Sequence, residues 1–292
     1  MFYEVKAPDL QPGQEKVSAL LVLNPSESRR LLAKATVMIP EVQKAWENGT
    51  ILIARGITNA YVIEELLGIS IEPKAGQTMG LICKGITNSH IGPPPCSWQV
   101  IRKGKVIEGA DVKTEILNFG PEDVFIKGAN AIDISGNAGI FVSSLKGGTI
   151  GMCWPIVTPR DSHCIMPVGL EKLVPSVLEA ARHTGIYHFK YSTGLPAKIV
   201  PIELGKVVTE IQALNLLAGV RVYHVASGGV GGSEGAVVLS LEGDEEGIEK
   251  ALTLIQSIKG EPPVTLPDQF SIRSAGDYQY DAQAQLATLK GF

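Results

Sequence analysis

Two loops in the stretch 125–151 carry the residues best suited to chemistry. Each loop follows an apolar run typical of a buried strand, and each is rich in small residues that let the backbone approach a ligand closely. The first loop includes Asn130 and leads to Asp133, which stands among apolar neighbours. Asp133 could act as a catalytic acid or base with a pKa adjusted by burial, or it could cap backbone amides at a turn.

The second loop follows the apolar run 140–142 and combines a cation with small residues. An ammonium, a hydroxyl and unpaired backbone N–H groups can together hold an anionic group, and an ammonium can stabilise an oxyanion during a reaction. Lys146 is therefore a candidate catalytic residue, although its side chain could instead project into solvent. The two loops together contribute these candidate ligand-binding residues: Asn130, Gly147, Gly148 and Thr149.

Two further polar loops contain the tetrapeptide GITN, and each comes directly after an apolar run. The first copy follows the run 50–54 and leads into a helix predicted over 60–67. A loop between a strand and a helix N-terminus favours anions, because unpaired backbone N–H groups point toward it. The second copy follows the run 79–83. These loops contribute further candidate ligand-binding residues: Arg55, Gly56, Thr58, Asn59, Thr87 and Asn88.

The composition argues against several classes of function. The chain has 292 residues and a formal net charge of -4, with no cluster of Lys and Arg, so we expect no nucleic-acid partner. No segment approaches the roughly 18 consecutive apolar residues of a membrane span, and the first ten residues lack the pattern of a secretory signal. We therefore expect no membrane partner and a cytoplasmic location. The four cysteines lack zinc-site spacing, so we expect reduced thiols and no metal site.

The sequence identifies no cofactor. The glycine-rich loop 227–235 resembles a dinucleotide fingerprint in composition, but it joins two predicted strands. A dinucleotide fingerprint joins a strand to a helix, where the helix N-terminus receives the pyrophosphate. We therefore expect this loop to be a mobile hairpin connection.

The order of predicted elements indicates an α/β protein with three segments. Residues 1–195 alternate strands and helices, which predicts a three-layer domain around a parallel-rich sheet. Residues 196–262 follow the order strand, helix, strand, strand, helix, which predicts a smaller α+β, ferredoxin-like subdomain. Residues 263–292 are expected to be a C-terminal extension with a short helix over 281–290. Right-handed crossovers would bring the four polar loops to one edge of the large sheet.

Three local predictions concern how elements are placed or bounded. A hairpin over 98–107, turning at Lys103 and Gly104, would be an addition outside the main sheet. Apolar residues at helical spacing predict one continuous helix over 170–183. The same reasoning predicts a helix over 207–217 in the small subdomain.

Four segments resemble the superfamily of ribose-5-phosphate isomerases, glucosamine-6-phosphate deaminases and CoA-transferase-like proteins. TILIARGITNAYVIEELLG is similar to the first strand, anion-binding loop and helix of that group, and IKGANAIDISGNAGIFVSSLKGG to its segment with a Lys-Gly-Gly loop. CIMPVGLEKLVPSVLEAA resembles a strand and helix of the lactate-utilisation relatives, and LPAKIVPIELGKVV resembles the start of the isomerase small subdomain. The resemblance implies the fold and the location of the site.

The chain departs from the isomerases of this group at the residues that perform their reaction. Residues 127–131 read Lys-Gly-Ala-Asn-Ala where the isomerases have Asp-Gly-Ala-Asp-Glu, and no carboxylate follows the Lys-Gly-Gly loop over 149–155. The base that removes a proton next to the substrate carbonyl is therefore missing. Fold and site location can carry over while the reaction does not.

We expect the chain to bind a small anionic metabolite, such as a phosphorylated sugar, a nucleotide-like or a CoA-like molecule. In one reading it is an enzyme that isomerises or hydrolyses a carbonyl-containing substrate, with Asp133 as acid or base and Lys146 at the oxyanion. In the alternative reading it is a non-catalytic metabolite sensor or a protein-binding subunit that retains the fold. The missing glutamate fits the second reading.

The apolar strands predicted over 220–226 and 236–241 indicate self-association. They belong to a segment of about 60 residues, which buries too little surface to be comfortably stable alone. Either the large domain or a second copy of the chain must cover the exposed face of their sheet. We expect a homo-oligomer, because closed dimers are the commonest assemblies.

Overall fold

The computed structural model describes residues 1–90 and 98–266. Cys96 and the helix predicted over 281–290 lie outside the described residues. The strands are β1 (Val17–Leu23), β2 (Thr50–Ile53), β3 (Gly80–Cys83), β4 (Ile86–Ser89), β5 (Gln99–Arg102), β6 (Lys105–Val106), β7 (Val124–Ile126), β8 (Ala131–Ile132), β9 (Ala138–Val142), β10 (His163–Pro167), β11 (Lys198–Ile202), β12 (Lys206–Val208), β13 (Arg221–Gly228) and β14 (Ala236–Gly243). The α-helices are α1 (Pro25–Met38), α2 (Pro40–Asn48), α3 (Ile57–Leu67), α4 (Val112–Leu117), α5 (Gly148–Val157), α6 (Val177–Arg182), α7 (Glu210–Ala218) and α8 (Glu245–Ile258).

The central sheet has six strands in the order β12, β10, β7, β2, β5 and β6. The first four are parallel, and β5 and β6 are antiparallel to their neighbours. This mixed, mostly parallel sheet with its helices confirms the predicted α/β class. Ile126 of β7 pairs with Ile53 of β2 and with Ile165 of β10, so β2 and β7 end at the same level and β10 runs two residues further, to Pro167. We call the residues just beyond them, 54–59, 127–130 and 168–172, the carboxyl edge.

Short apolar strands bury both faces of the central sheet. Ile51, Ile53 and Ile126 face one core, whereas Leu52 and Phe125 face another. Successive strand residues point to opposite faces, so runs without polar residues are expected in a sheet covered on both sides. Helices α1, α2, α3 and α7 cover the first face, and α4, α5 and the strands β8, β9 and β11 cover the second.

A second sheet, antiparallel and three-stranded, has the order β1, β14 and β13. Its inner residues, among them Leu23 and Leu239, belong to the same apolar core as Ile51 of the central sheet. Strand β1 lies in the segment predicted as the large domain, yet it pairs along its whole length with β14 of the predicted subdomain. The boundary expected at residue 195 therefore does not separate the sheets.

Strands β11 and β12 also pair with strands of the predicted large domain and not with those of the small subdomain. Strand β11, expected to start the small subdomain, pairs with β9 instead, and β12 pairs in parallel with β10 of the central sheet. The α+β unit thus consists of β1, β13 and β14 with helices α7 and α8. The pattern of a strand shows which faces it buries but does not show which strand it pairs with.

Three local expectations are corrected as well. The hairpin over 98–107 is part of the central sheet, because every residue of β5 pairs with β2. The helix expected over 170–183 is a short 3-10 helix, Leu170–Lys172, followed by α6, which the Ser176 side chain caps. Pro175 lies between them, and a proline inside a helix removes a backbone donor and clashes with the preceding turn. Helix α7 begins at Glu210, because Val207 and Val208 are in β12.

Within the described residues, no helix combines the length and apolar character needed to cross a membrane.

Candidate functional site

Asn59 is fixed at the carboxyl edge by the ends of two strands. It lies in the first turn of α3 and is fully buried. Its Nδ2 donates to the Ala54 carbonyl at 2.7 Å and to the Ile126 carbonyl at 3.4 Å. Its Oδ1 has no hydrogen-bond donor among the described residues and lies 4.0 Å from where a Cβ on Gly128 would be. A buried amide oxygen in this state is available to a donor on a ligand.

The other residues of the first GITN loop surround Asn59. The Gly56 N–H donates to the Gln77 carbonyl at 2.6 Å, which fixes the loop before α3. Thr58 is buried, and Arg55 is half-buried directly after Ala54. The structure thus brings this predicted loop to the carboxyl edge, beside the loop that follows β7.

Lys127 is the half-buried residue directly after β7. Its backbone N–H donates to the Ile165 carbonyl at 3.1 Å, and its Nζ donates to the Gly128 carbonyl at 2.9 Å. Burial, and then the charge of Lys172, lower the pKa of Lys127 to about 8. A substantial fraction of this amine is therefore neutral near physiological pH.

Glu171 and Glu210 form a pair of carboxylates at the same edge. Glu210, at the start of α7, is fully buried, and its Oε2 accepts a hydrogen bond from the Leu170 N–H at 2.9 Å. Glu210 Oε1 and Glu171 Oε2 are buried and lack a hydrogen bond of normal geometry among the described residues. Burial, and then the charge of Glu171, raise the pKa of Glu210 to about 7.

Two cations accompany this pair. Arg29 Nη2 lies 3.5 Å from Glu171 Oε1, and Lys172 Nζ lies 3.9 Å from the same oxygen. Burial lowers the pKa of Lys172, and the two carboxylates oppose that shift. Because Lys172 also acts on Lys127, it connects the amine to the carboxylates electrostatically. We call the set the edge cluster; its members are Arg29, Asn59, Lys127, Glu171, Lys172 and Glu210.

Both carboxylate oxygens of Asp133 accept hydrogen bonds. Its Oδ1 accepts from the backbone N–H groups of Ser135 and Asn137, both at 3.0 Å. Its Oδ2 accepts from Asn137 Nδ2 at 3.1 Å and from the Val177 N–H at 2.9 Å. These bonds lower the pKa of Asp133 although burial opposes the shift. Four hydrogen bonds to a carboxylate with a lowered pKa fit the capping alternative and not the catalytic one.

In the part of the chain that the structure describes, the remaining candidates of the stretch 125–151 form no hydrogen bond or ion pair with the edge cluster. The Asn130 side chain accepts from the Phe141 N–H at 3.0 Å and so holds β9. Lys146 is exposed, and Gly147 has a φ of 76°, in the left-handed region that favours glycine, before Gly148 starts α5 and Thr149 follows. Among residues 1–90 and 98–266, no hydrogen bond or ion pair joins positions 146–149 to the edge cluster. The exposure of Lys146 fits its solvent-facing alternative.

The second GITN copy serves to dock a hairpin. Strands β3 and β4 pair with each other, and Asn88 is in β4. Thr87 Oγ1 donates to the Leu195 carbonyl at 2.7 Å, and the Thr87 N–H donates to the Thr193 carbonyl at 3.1 Å. The polar groups of Thr87 are therefore used to attach the hairpin to residues 193–195.

Sequence reasoning did not select five members of the edge cluster: Arg29, Lys127, Glu171, Lys172 and Glu210. Lys127 stood inside a selected loop but was noted only as a departure from the isomerase pattern. A glutamate after Thr209 is the ordinary sequence of a helix start, and nothing in it shows full burial. One signal was available for Lys127, because residues that directly follow a buried parallel strand lie where ligands bind in such sheets.

A shallow cleft lies elsewhere, between the N-terminal segment and the β1, β14 and β13 sheet. Its charged groups are paired with one another: Lys16 with Glu242 at 3.0 Å, and Arg221 with Asp9. These ion pairs are largely exposed, and among the described residues that line the cleft no buried polar group lacks a partner. The edge cluster is therefore the better candidate for a site.

Comparison with known proteins identifies no relative. No protein-family model matches the chain, and no curated protein or solved structure matches it. The resemblance to the ribose-5-phosphate isomerase and CoA-transferase-like group thus stays a prediction. Within the described residues, no group of three or more His, Cys, Asp or Glu side chains is arranged to hold a metal ion.

Proposed function

We propose that the chain binds a small anionic metabolite at the carboxyl edge of its central sheet, next to Lys127 and Lys172. The observation that carries the proposal is the placement of two half-buried lysines at this edge: Lys127 directly follows β7, and Lys172 ends the 3-10 helix that comes after β10. No carboxylate among the described residues forms an ion pair with Lys127, and the charge of Lys172 disfavours its protonated form. An anion between the two would stabilise both ammonium groups.

The surroundings define the class of ligand more closely. The N-terminus of α3 adds unpaired backbone N–H groups, which favour a phosphate or carboxylate. The buried Asn59 Oδ1 favours a hydroxyl or amide donor on the same molecule. A phosphorylated sugar meets both requirements, and nucleotide-like and CoA-like molecules are the other candidates.

The binding test is a thermal-shift and calorimetric screen with inorganic phosphate, sugar phosphates, nucleotides and CoA. We expect at least one of them to stabilise the protein, by about 2–3 kcal/mol when it is present at 100 times its Kd. Lys127→Met should weaken that binding at least tenfold, and Lys113→Met, which removes an exposed lysine of α4, should not. Absence of any shift, or equal binding by Lys127→Met, would overturn the proposal. Loss of binding in Lys146→Met alone would instead favour the loop at 146–149.

Proton uptake gives an independent readout of the same site. A bound anion favours the ammonium form of Lys127, so binding at pH 8 should take up protons. Calorimetry in two buffers of different ionisation enthalpy measures that uptake. The Lys127→Arg variant keeps a positive charge that does not titrate near pH 8, and it should bind with less uptake. Uptake that is identical in the two proteins would place the anion elsewhere.

We favour an enzyme over a non-catalytic sensor or a protein-binding subunit, because Glu210 can exchange a proton near neutral pH. The reaction class is isomerisation or hydrolysis of a carbonyl-containing substrate. An isomerase exchanges the proton next to the carbonyl with solvent, so NMR of the bound metabolite in D₂O should show that proton disappearing. Glu210→Gln should slow the exchange at least a hundredfold, while Glu249→Gln, on the exposed side of α8, should not. A ligand that binds without exchange or turnover would favour the sensor.

We also propose that the chain forms a homo-oligomer through the outer face of the β1, β14 and β13 sheet. Four apolar side chains on that face are about half exposed or more: Leu20 (69%), Val22 (47%), Tyr223 (49%) and Val225 (54%). The charged neighbours of these side chains, Lys16, Arg221 and Glu242, carry both signs and are paired within the chain, so they present no net repulsion to a second copy. A second copy of the same face is therefore a suitable cover.

We infer a cytoplasmic location from the thiols. Cys83, Cys153 and Cys164 are free, and the last two are buried, where burial raises the pKa of each to about 12. Free thiols persist in a reducing compartment. Cell fractionation tests the inference, and recovery of the protein outside the cytoplasm would contradict it.

A further inference from the structure

We propose that Lys127 captures the carbonyl carbon of the bound metabolite as an imine, with Lys172 supplying the proton that releases water. The proposal rests on the anion site proposed above and adds a covalent step to it, in which the fraction of Lys127 that is neutral reacts while the Lys172 ammonium holds the anion. The structural basis is the placement of one amine at the end of a buried strand, within electrostatic reach of a second amine, Lys172, which itself lies beside Glu171.

The backbone holds Lys127 in a defined position. Strand β7 lies between β2 and β10, and the hydrogen bond from the Lys127 N–H to the Ile165 carbonyl continues this pairing past the strand end. The Nζ donates to the Gly128 carbonyl at 2.9 Å, and a Cβ on Gly128 would lie 4.0 Å from Asn59 Oδ1. An amine fixed in this way loses little freedom when it attacks a bound substrate.

Lys127 differs in its neighbours from Lys74, a lysine that is only 5% exposed. Lys74 lies 3.3 Å from Glu64 and pairs with Glu72, and these carboxylates keep it charged. Lys127 has a cation, Lys172, and the thiols of Cys153 and Cys164 as its titratable neighbours. A desolvated lysine beside another cation gives up its proton at a lower pH than an exposed lysine, which is the property of a nucleophilic amine.

Residues of the edge cluster can donate the proton that imine formation requires and can then replace it. The neutral Nζ attacks the carbonyl carbon, a C–N bond forms, and the proton lost from nitrogen ends on the former carbonyl oxygen. The Lys172 ammonium then protonates the hydroxyl, the C–O bond breaks, and water leaves as the protonated imine forms. Glu171, whose Oε1 lies 3.9 Å from Lys172 Nζ, and Glu210 beside it can return the proton to Lys172.

Reductive trapping tests the proposal on the full chain. The probes are pyruvate and dihydroxyacetone phosphate, each an anionic ketone, incubated with the protein before borohydride is added. We expect intact mass spectrometry to show one reduced adduct per chain and peptide mapping to place it at Lys127. Lys127→Arg keeps the charge and the length of the side chain but lacks a nucleophilic amine, so it should give no adduct. Lys113→Met should be trapped like the wild type.

A pH profile separates this role from a merely structural one. Trapping should rise as the pH passes through about 8, where Lys127 loses its proton. Lys172→Met removes the neighbouring charge, so the midpoint of that profile should move to higher pH and water release should slow. An unchanged profile in Lys172→Met would overturn the assignment of Lys172.

Inorganic phosphate, which has no carbonyl group, distinguishes the imine from the anion site. Phosphate that binds in a Lys127-dependent way, together with no adduct at Lys127, would overturn the imine and leave the anion site standing. Adducts spread evenly over many lysines would overturn it as well. If neither phosphate nor either ketone binds, the site itself is wrong. Suppression of the Lys127 adduct by phosphate would support both proposals.

Discussion

The carboxylates of Glu171 and Glu210 both reach the space that a side chain on Gly169 would occupy. A Cβ at that position would lie 2.0 Å from Glu171 Oε2 and 3.2 Å from Glu210 Oε1. Glu171 follows the end of β10 and Glu210 begins α7, so the two reach this point from different elements. The glycine provides the space in which two negative groups approach each other, and that approach favours the protonated form of Glu210.

The first prediction concerns Glu210 and the pH dependence of stability. Its pKa in the folded protein, about 7, lies above the value of 4.5 for an unperturbed glutamate. The protonated group favours folding below pH 4.5, and this contribution is lost as the pH rises through 7. Glu210→Gln keeps an acceptor for the Leu170 N–H but cannot ionise. Relative to the wild type, the variant should gain about 3 kcal/mol between pH 4.5 and pH 8.

Urea unfolding at several pH values measures this difference. Glu249→Gln is the matched control, because it removes an exposed carboxylate of α8 and should not reproduce the gain expected of Glu210→Gln. If the difference in unfolding free energy between Glu210→Gln and the wild type is the same at pH 4.5 and pH 8, the pKa of Glu210 is not raised in the folded protein.

The second prediction treats Asp133 as a structural cap. Asp133→Asn replaces one acceptor oxygen by a donor, so at least one of the N–H groups that now bond to the carboxylate loses its partner. We expect a loss of about 2–3 kcal/mol in the free energy of unfolding. The lowered pKa of Asp133 means that its contribution is present above pH 3.8 and is lost as the pH falls through the folded value.

Asp161→Asn is the control for this substitution. Asp161 is exposed and has a φ of 54°, a conformation that asparagine adopts readily, so the change should be close to neutral. If Asp133→Asn unfolds like the wild type but loses turnover, Asp133 is catalytic and the capping interpretation is wrong.

The sequence predicts the elements of this fold better than their pairing. The runs at β2 and β7 and the small residues after them place a polar loop beyond a buried strand, and the structure brings Asn59 and Gly128 together there. The pairing of β1 with β14 spans more than 200 residues of sequence and depends on which apolar faces remain uncovered after the helices pack. No local pattern contains that information.

The charged residues of the candidate site could not be predicted from the sequence for a related reason. Glu210 and Arg29 lie in helix sequences where charged residues are usually solvent-exposed, and α1 and α7 become neighbours only through tertiary packing. Glu210 is buried because these helices pack together, and the residues next to it in the sequence show no pattern that predicts its burial. Lys127 follows a strand and could have been selected by position, but the pairing with Lys172 required the structure.

The third prediction concerns Arg30, which joins three parts of the chain. Its guanidinium contacts Glu64 at 2.5 Å, Glu65 at 2.9 Å and Glu261 at 3.0 Å, and it lies 4.8 Å from the centre of the Tyr61 ring. Arg30→Met would leave Glu64, with a side chain only 5% exposed, with Lys74 as its one remaining cation among the described residues, beside the hydrogen bond from the Ile71 N–H. We expect a loss of roughly 2–4 kcal/mol, because a buried charge without its partner is strongly unfavourable.

Lys44→Met is the matched control for Arg30→Met. The Lys44 ion pair with Glu122, at 2.7 Å, has both side chains more than half exposed, so its loss should change the free energy of unfolding by less than about 1 kcal/mol. Denaturant unfolding of both variants and the wild type provides the comparison. Equal effects of the two substitutions would show that the Arg30 network contributes no more than a surface pair.

The fourth prediction concerns the outer face of the β1, β14 and β13 sheet. Leu20 lies at the centre of this face, level with Ser240 of β14 and Tyr223 of β13. Light scattering at micromolar concentration should give the wild type a mass above the 31.1 kDa of one chain. Leu20→Lys places a charge where a second copy would bury the leucine, so the mass should fall to that of one chain. Leu204→Lys replaces a similarly exposed leucine away from this sheet and should leave the mass unchanged. A wild-type mass of one chain would refute the oligomer, and an oligomer that survives Leu20→Lys would place its interface on another surface.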